Sequence, residues 1–232
     1  GRYVADIFSG VGGVANNVRK IGFNAREWEV ENGPQYDVTK KSVENHICSD
    51  IAKGNTISVM IAAPCTSFSR ARDRTAVIRN QLYPWGLPAD KLSEIDNEKV
   101  RNGNRTMKAG IRFAKCAHRH GVPWVFENPE SSKCWYLPAW KALENSEAVE
   151  SIVVDFCQFG TAWRKRTKFL VGNIFDSDLG RPRGKLCSGA PGICSRTNRK
   201  HFELSGSNSA GIPWTRVAQP YPSKLSKQLA HV

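Results

Sequence analysis

The sequence predicts an α/β protein built on an open, mostly parallel sheet with an antiparallel hairpin at one edge. Three observations carry this. Short apolar runs, rich in β-branched and aromatic residues, recur along the chain with polar or helical stretches between them. The first run leads through a glycine turn straight into a helical pattern, the opening of a βαβ unit. The last two runs are separated only by a short basic segment, as in a hairpin.

Taken in order, residues 3–8 (Tyr-Val-Ala-Asp-Ile-Phe) read as the first strand, Ser9-Gly-Val-Gly-Gly13 as a tight turn, and residues 14–21 as a helix with Gly22 at its C-terminal end. Glycines let the backbone approach a ligand closely, and the helix N-terminus offers free N–H groups. Residues 25–30 form a second strand that ends in acid. A carboxylate about 20 residues after such a turn suits a ribose diol; Glu29 is the choice, with Glu27 and Glu31 as rivals. Residues 45–51 read as a weaker third strand ending at Asp50, a residue suited either to an adenine amino group or to capping the next turn. Residues 59–63 (Val-Met-Ile-Ala-Ala) are a buried strand that stops at Pro64 and Cys65. A polar stretch follows to about Asn104, containing Arg70, Arg72, Asp73 and Arg74; it reads as a mobile loop suited to a phosphate backbone. Residues 106–120 form an amphipathic helix with Met107, Ile111, Ala114 and Cys116 inward, closed by Gly121. Residues 122–126 form another buried strand, which runs into Glu127-Asn-Pro-Glu130. Residues 152–156 and 169–172 are the hairpin strands, and the basic turn between them is suited to clamping a nucleotide.

The expected organisation is a core over residues 1–172 and a loop-rich tail over 173–232 that packs back on it, ending in a short helix. With 232 residues and 40% hydrophobic content the chain supports one real core. No run approaches the roughly 20 apolar residues of a membrane span, and the N-terminus enters a strand directly, so no signal peptide is expected. The balance of 34 basic to 21 acidic residues gives a net charge of +13, which favours a polyanionic partner, most simply nucleic acid. Seven cysteines, at 48, 65, 116, 134, 157, 187 and 194, are odd in number and scattered. They fit a reducing, intracellular setting rather than a disulfide framework. In the tail, Cys187, Cys194 and His201 are evenly spaced in a segment poor in core residues, and they could hold zinc, although no fourth ligand is evident.

The chemistry concentrates at two strand ends. Cys65 stands at the carboxyl edge of one buried strand, Glu127 and Asn128 at that of another, and in open α/β sheets that edge is where ligands bind. A carboxylate and an amide at one strand end, beside a second strand end carrying Cys65, form a convergent polar site.

At this point the chain resembles the DNA cytosine-5 methyltransferase family. Asp6-Ile-Phe-Ser-Gly-Val-Gly-Gly13 resembles its first motif, Ala63-Pro-Cys-Thr-Ser-Phe-Ser69 its Pro-Cys nucleophile motif, Phe126-Glu-Asn-Pro129 its Glu-Asn-Val motif, and Phe159-Gly-Thr-Ala-Trp-Arg-Lys-Arg-Thr167 its Gln-x-Arg-x-Arg motif. The matches fall in family order over residues 6–172. The chain departs from the pattern in Glu-Asn-Pro for Glu-Asn-Val, in Trp163, Lys165 and Thr167 at the Gln-x-Arg-x-Arg positions, and in having only about 60 residues where the family carries a target-recognition region. That compact form is similar to methyltransferase-like domains of mobile elements and viruses. The resemblance implies a Rossmann-like S-adenosylmethionine-dependent methyltransferase fold, S-adenosylmethionine as cofactor, and DNA in preference to RNA as the partner, with either weak sequence specificity or a partner domain for target recognition. It implies Cys65 as nucleophile, Glu127 as acid, Asn128 as an orienting group, and Arg164, Lys165 and Arg166 at the base. The implied cofactor residues are Phe8, Ser9, Gly10, Gly12, Gly13, Glu29, Asp50, Ile51 and Pro64.

Overall fold

The computed structural model describes residues 1–174 and 185–231. Its strands are β1 (Tyr3–Ile7), β2 (Asn24–Trp28), β3 (Thr56–Ile61), β4 (Trp124–Pro129), β5 (Val149–Asp155) and β6 (Arg166–Gly172). They form one sheet in the order β2-β1-β3-β4-β6-β5. β2, β1, β3 and β4 pair in parallel, and β6 runs antiparallel to both β4 and β5. The fold is therefore a Rossmann-like α/β sheet with an antiparallel hairpin at one edge. The helices are α1 (Gly13–Lys20), α2 (Lys41–Ala52), α3 (Glu94–Arg119), α4 (Pro138–Glu144), α5 (Trp214–Val217) and α6 (Ser223–Leu229).

Side chains alternate across a strand, so each strand feeds two cores. Tyr3, Ala5 and Ile7 of β1, Val59 and Ile61 of β3, and Trp124 and Phe126 of β4 pack against α2, α3 and α4. Val4, Met60 and Val125 face the other way, against Val14 and Val18 of α1 and Leu225 and Leu229 of α6. By the same alternation Asp6 and Glu127 lie on the α1/α6 side. β2 and β3 flank β1 on opposite sides, which makes the carboxyl ends of β1 and β3 the point where the winding reverses and a crevice opens.

Three expectations need correction. Residues 45–51 are not a strand but part of α2, where Ile47 and Ile51, one turn apart, are the buried positions, as helical spacing requires. The helix placed at 106–120 begins three turns earlier. Ser93 caps it, its hydroxyl accepting from the Asp96 N–H at 3.1 Å, as Ser-x-x-acid does at a helix start. That first half was hidden by its composition, since Val100 is its one buried apolar residue. The stretch read as a mobile loop is packed around Arg79, which is wholly buried. Arg79 Nε donates to Ser67 O, its Nη1 to Pro84 O and Asn104 Oδ1, and its Nη2 to Ser67 Oγ and Val100 O. Gly103 of α3 makes room for this loop: a Cβ there would lie 1.9 Å from Ser67 Oγ. No helix among the described residues is long and apolar enough to cross a membrane.

Candidate active site

A cleft of about 460 Å³ opens over the carboxyl ends of β1, β3 and β4. One wall is the turn after β1. Phe8, Gly10 and Gly12 all have positive φ, at 59°, 54° and 67°, so the chain doubles back and delivers the N-terminus of α1 to the cleft. Gly12 has a second reason to lack a side chain, since a Cβ there would meet Glu27 Oε1 at 2.3 Å. Asp6 lies buried beneath the turn, where its carboxylate accepts from the Ala15 N–H at 3.1 Å and ties β1 to the first turn of α1. Burial raises the Asp6 carboxyl to about 7, a rise the Ala15 bond opposes.

The three acidic rivals separate cleanly. Glu27 is paired with Arg19 at 2.8 Å. Glu29 lines the cleft and accepts from the Gly10 N–H at 3.0 Å, which sets its carboxylate beside the glycine turn. Glu31 also lines the cleft, farther along the chain. Phe8, Ser9, Gly10, Gly13 and Pro64 share this wall; Gly12 shapes the turn without lining the cleft.

The opposite wall carries Cys65, Glu127, Asn128, Lys165 and Tyr221. Cys65 follows β3 directly, and Phe68 N–H donates to Cys65 O at 2.8 Å, turning the loop back on itself. Asn128, at the end of β4, donates through Nδ2 to Ala63 O at 2.9 Å and to Glu127 O at 3.0 Å. These bonds fasten the ends of β3 and β4 together, so the thiol and the carboxyl group, 62 positions apart in the chain, face one cavity. The Glu127 side chain accepts from the Tyr221 hydroxyl at 3.2 Å through Oε2, whereas its Oε1 is buried without a protein partner, as is Asn128 Oδ1. Buried polar atoms are rarely left unpaired, and both residues line the cleft, where a ligand's polar groups can reach them.

Burial raises the Glu127 carboxyl, against the opposing pull of Lys165 and Tyr221, and so favours the protonated, hydrogen-donating form. Burial also raises the Cys65 thiol; Lys165 draws it down and Glu127 pushes it up. Lys165 thus acts on both groups. It is the cationic side chain of the basic turn that lines the cleft.

Arg164 and Arg166 do not join it, a correction to the expectation that all three basic residues meet the base. Lys165, just before β6, lines the cleft, while its two neighbours turn to Asp155 instead. Arg164 Nε and Arg166 Nε each donate to Asp155 Oδ1 at 3.1 Å, and Arg166 Nη2 donates to Asp155 Oδ2 at 2.8 Å. Asp50 and Ile51 are likewise removed from the cofactor set. Asp50 sits on α2 at the amino edge of the sheet, where it accepts from the Tyr3 hydroxyl at 2.7 Å and from Asn55 at 3.2 Å; Ile51 is buried in the core. In the tail, Cys187, Cys194 and His201 are brought together, with Cys157 among them. Sequence reasoning missed Asp6, Tyr221, Arg216 and Cys157 as functional candidates. Asp6 stood within a quoted motif, but Tyr221 and Arg216 lie in a tail whose Pro-Tyr-Pro segment gives no local sign of reaching the cleft.

No family model matches the chain, and no curated protein does. Among solved structures, the chain is similar to the Entamoeba histolytica methyltransferase EhMeth, at 12% identity and TM-score 0.44 over 99% of this chain and 92% of that one. It is similar to S. pombe Dnmt2 methyltransferase at 14% identity and TM-score 0.44, over 76% of this chain and 53% of that one. It is also similar to a mutant form of Spodoptera frugiperda DNMT2 at 12% identity and TM-score 0.43, over 82% and 56%. The chain spans little more than half the length of these last two. At such identities and scores the likeness carries no functional argument, which rests on the cleft.

Proposed function

We propose that this chain methylates C5 of a cytosine in nucleic acid, DNA in preference to RNA, using S-adenosylmethionine and a transient covalent bond from Cys65 to C6 of the base. The observation that carries the reading is the shared cleft of Cys65 and a buried Glu127 whose Oε1 has no protein partner. Cytosine C5 is a weak nucleophile. Addition of the Cys65 thiolate to C6 forms the S–C6 bond, opens the C5=C6 double bond and makes an enamine with C5 as its nucleophilic carbon. Negative charge builds on N3 as the bond forms, and Glu127, whose carboxyl burial raises, donates a proton there. After C5 has gained the methyl group, a water in the cleft takes the C5 proton, the electron pair restores the C5=C6 double bond and expels Cys65 as the thiolate, and Glu127 takes back the N3 proton. Lys165 favours the thiolate through its charge, and Asn128 holds the acid and the nucleophile in register.

The glycine-turn wall suits the cofactor. Glu29 stands where a ribose diol would meet a carboxylate, Gly10 has open space around it, and Ser9 Oγ is buried without a protein partner. When bound, S-adenosylmethionine supplies the methyl group as an electrophilic sulfonium. A base inside a duplex cannot present C6 to a thiol, so the target nucleotide is flipped out or already unpaired. The net charge of +13 supports phosphate contacts that weaken steeply with salt. In this reading, target selection falls to a partner domain or to weak sequence preference. DNA is favoured over RNA by the motif resemblance.

The test is incubation with tritiated S-adenosylmethionine and DNA containing 5-fluorocytosine, with matched RNA in parallel. Fluorine blocks the final elimination, so the protein should be trapped as a covalent adduct with DNA, and Cys65→Ser should form none while still binding the cofactor. An adduct on RNA alone overturns the DNA assignment. Absence of an adduct on either nucleic acid overturns methylation and leaves a nucleic-acid-binding module.

A further inference from the structure

Four soft ligands from two distant segments converge on the side of the sheet where β5 ends. Cys157 follows β5 in a short 3-10 turn; Cys187, Cys194 and His201 come from the tail. Their ligand atoms all lie within 4.8 Å of one another. The three cysteines form a small buried cluster of their own, apart from both main cores, and all are free thiols.

Ordinary apolar packing does not account for this cluster. The backbone around it is shaped to present the sulfurs. Ser195 N–H and its hydroxyl both point to Cys187 Sγ, at 3.3 and 3.6 Å. Gln158 Nε2 donates to Cys157 Sγ at 3.4 Å. Asn198 N–H donates to Cys194 O and Cys194 N–H to Arg199 O, closing a tight loop that the bridge between Ile193 and Lys200 continues. The His201 N–H donates to Gly192 O, and this fixes the imidazole with Nε2 at 3.7 Å from Cys187 Sγ. In a tetrahedral zinc site, with bonds of about 2.3 Å to sulfur and 2.0–2.1 Å to nitrogen, sulfur and nitrogen ligands lie roughly 3.5–3.8 Å apart. Three thiolates packed this closely repel one another, and a bound dication stabilises them together.

We propose that Cys157, Cys187, Cys194 and His201 hold one zinc ion in a closed, structural Cys3His site. Cys157 is the ligand that the even spacing of the tail could not reveal, because it belongs to the core. The ion fastens the tail to the segment that leads into the basic turn and so holds two elements of the cleft wall, Lys165 on one side and the tail that carries Tyr221 on the other. A closed set of four protein ligands leaves no open position, which fits a structural ion rather than one that activates water.

The test does not depend on methyl transfer. Protein expressed with zinc in the medium should carry about one zinc ion per chain by elemental analysis. Cobalt exchanged into the site should give the visible absorption and thiolate charge-transfer bands of a tetrahedral sulfur-rich centre. Cys157→Ser and His201→Ala should each lose most of the metal, whereas Cys116→Ser, outside the cluster, should keep it. Removal of the ion by a chelator should open the tail to protease before the core. Folded wild-type protein without metal and without cobalt–thiolate bands overturns the site, as does a disulfide within the cluster. Full zinc content in Cys157→Ser overturns the core ligand. If the variants fail to fold, the cobalt spectrum of the wild-type protein still decides.

Discussion

Two buried charges hold the loops on either side of the cleft, and they are solvated in opposite ways. Arg79, behind the Cys65 loop, has no carboxylate among its hydrogen-bond partners. Its five N–H donors go to four neutral oxygens of the backbone and side chains of Ser67, Pro84 and Val100 and to the amide of Asn104, and the ring of Phe68 lies 3.9 Å from its guanidinium. Burial lowers its pKa to about 10, so it remains a cation at neutral pH. Asp155, beneath the basic turn, is a buried anion held by two arginines and by the Cys187 N–H at 2.8 Å. Burial pushes its carboxyl up, and the bonds from Arg166, Cys187 and Arg164 outweigh that and hold it below the usual range. The contrast lies in the partners. Those of Arg79 are fixed acceptors with nowhere else to turn, whereas the arginines on Asp155 reach solvent on their outer faces.

Removing each charge should therefore cost different amounts. Arg79→Met strands several buried acceptors at once and should lower stability by about 3–5 kcal/mol, measured by chemical denaturation; a loss below about 1 kcal/mol would mean the loop is not organised by this guanidinium. Asp155→Asn should cost less, about 1.5–3 kcal/mol, because its arginines can turn to water. A depressed folded-state pKa gives stabilisation that is complete above the unfolded value near 3.9 and lost as pH falls through the folded one. The gap between wild type and Asp155→Asn should thus narrow below about pH 4, and a gap independent of pH would contradict the ionic role. Tyr221→Phe should have the smallest effect, about 1 kcal/mol or less. Its signature is in activity. The Tyr221 bond opposes the burial-driven rise of Glu127, so its loss raises the Glu127 pKa further. The alkaline limb of the pH–rate profile should then move to higher pH by less than about one unit; movement to lower pH would remove Tyr221 from that role.

Much of the sheet was legible because its central strands are short, β-branched runs that end at punctuation, Gly10 after β1 and Pro64 after β3. The strand ends carrying Cys65 and Glu127 were legible for the same reason. What escaped was set by tertiary partners. Asp50 looked like a strand terminus, yet two isoleucines one turn apart bury that segment as a helix. Arg164 and Arg166 were indistinguishable from Lys165 until Asp155 took both. Arg79 sat in a polar stretch of apparently loose sequence, and nothing local announces that five acceptors would close around it. Tyr221 meets Glu127 from 94 positions away, beyond what any local pattern can show.

The amide of Asn128 has a consequence for what the cleft admits. Both bonds from its nitrogen end on main-chain carbonyls, so the group cannot rotate to exchange its two ends without breaking them. The oxygen is left as a one-way contact: it can receive a hydrogen and can offer none. A ring edge bearing an amino group would be welcome at that corner, and one bearing a carbonyl would meet lone pair against lone pair. If the proposed reaction holds, discrimination between two pyrimidines of nearly equal size can thus reside in which atom of one locked side chain meets the base.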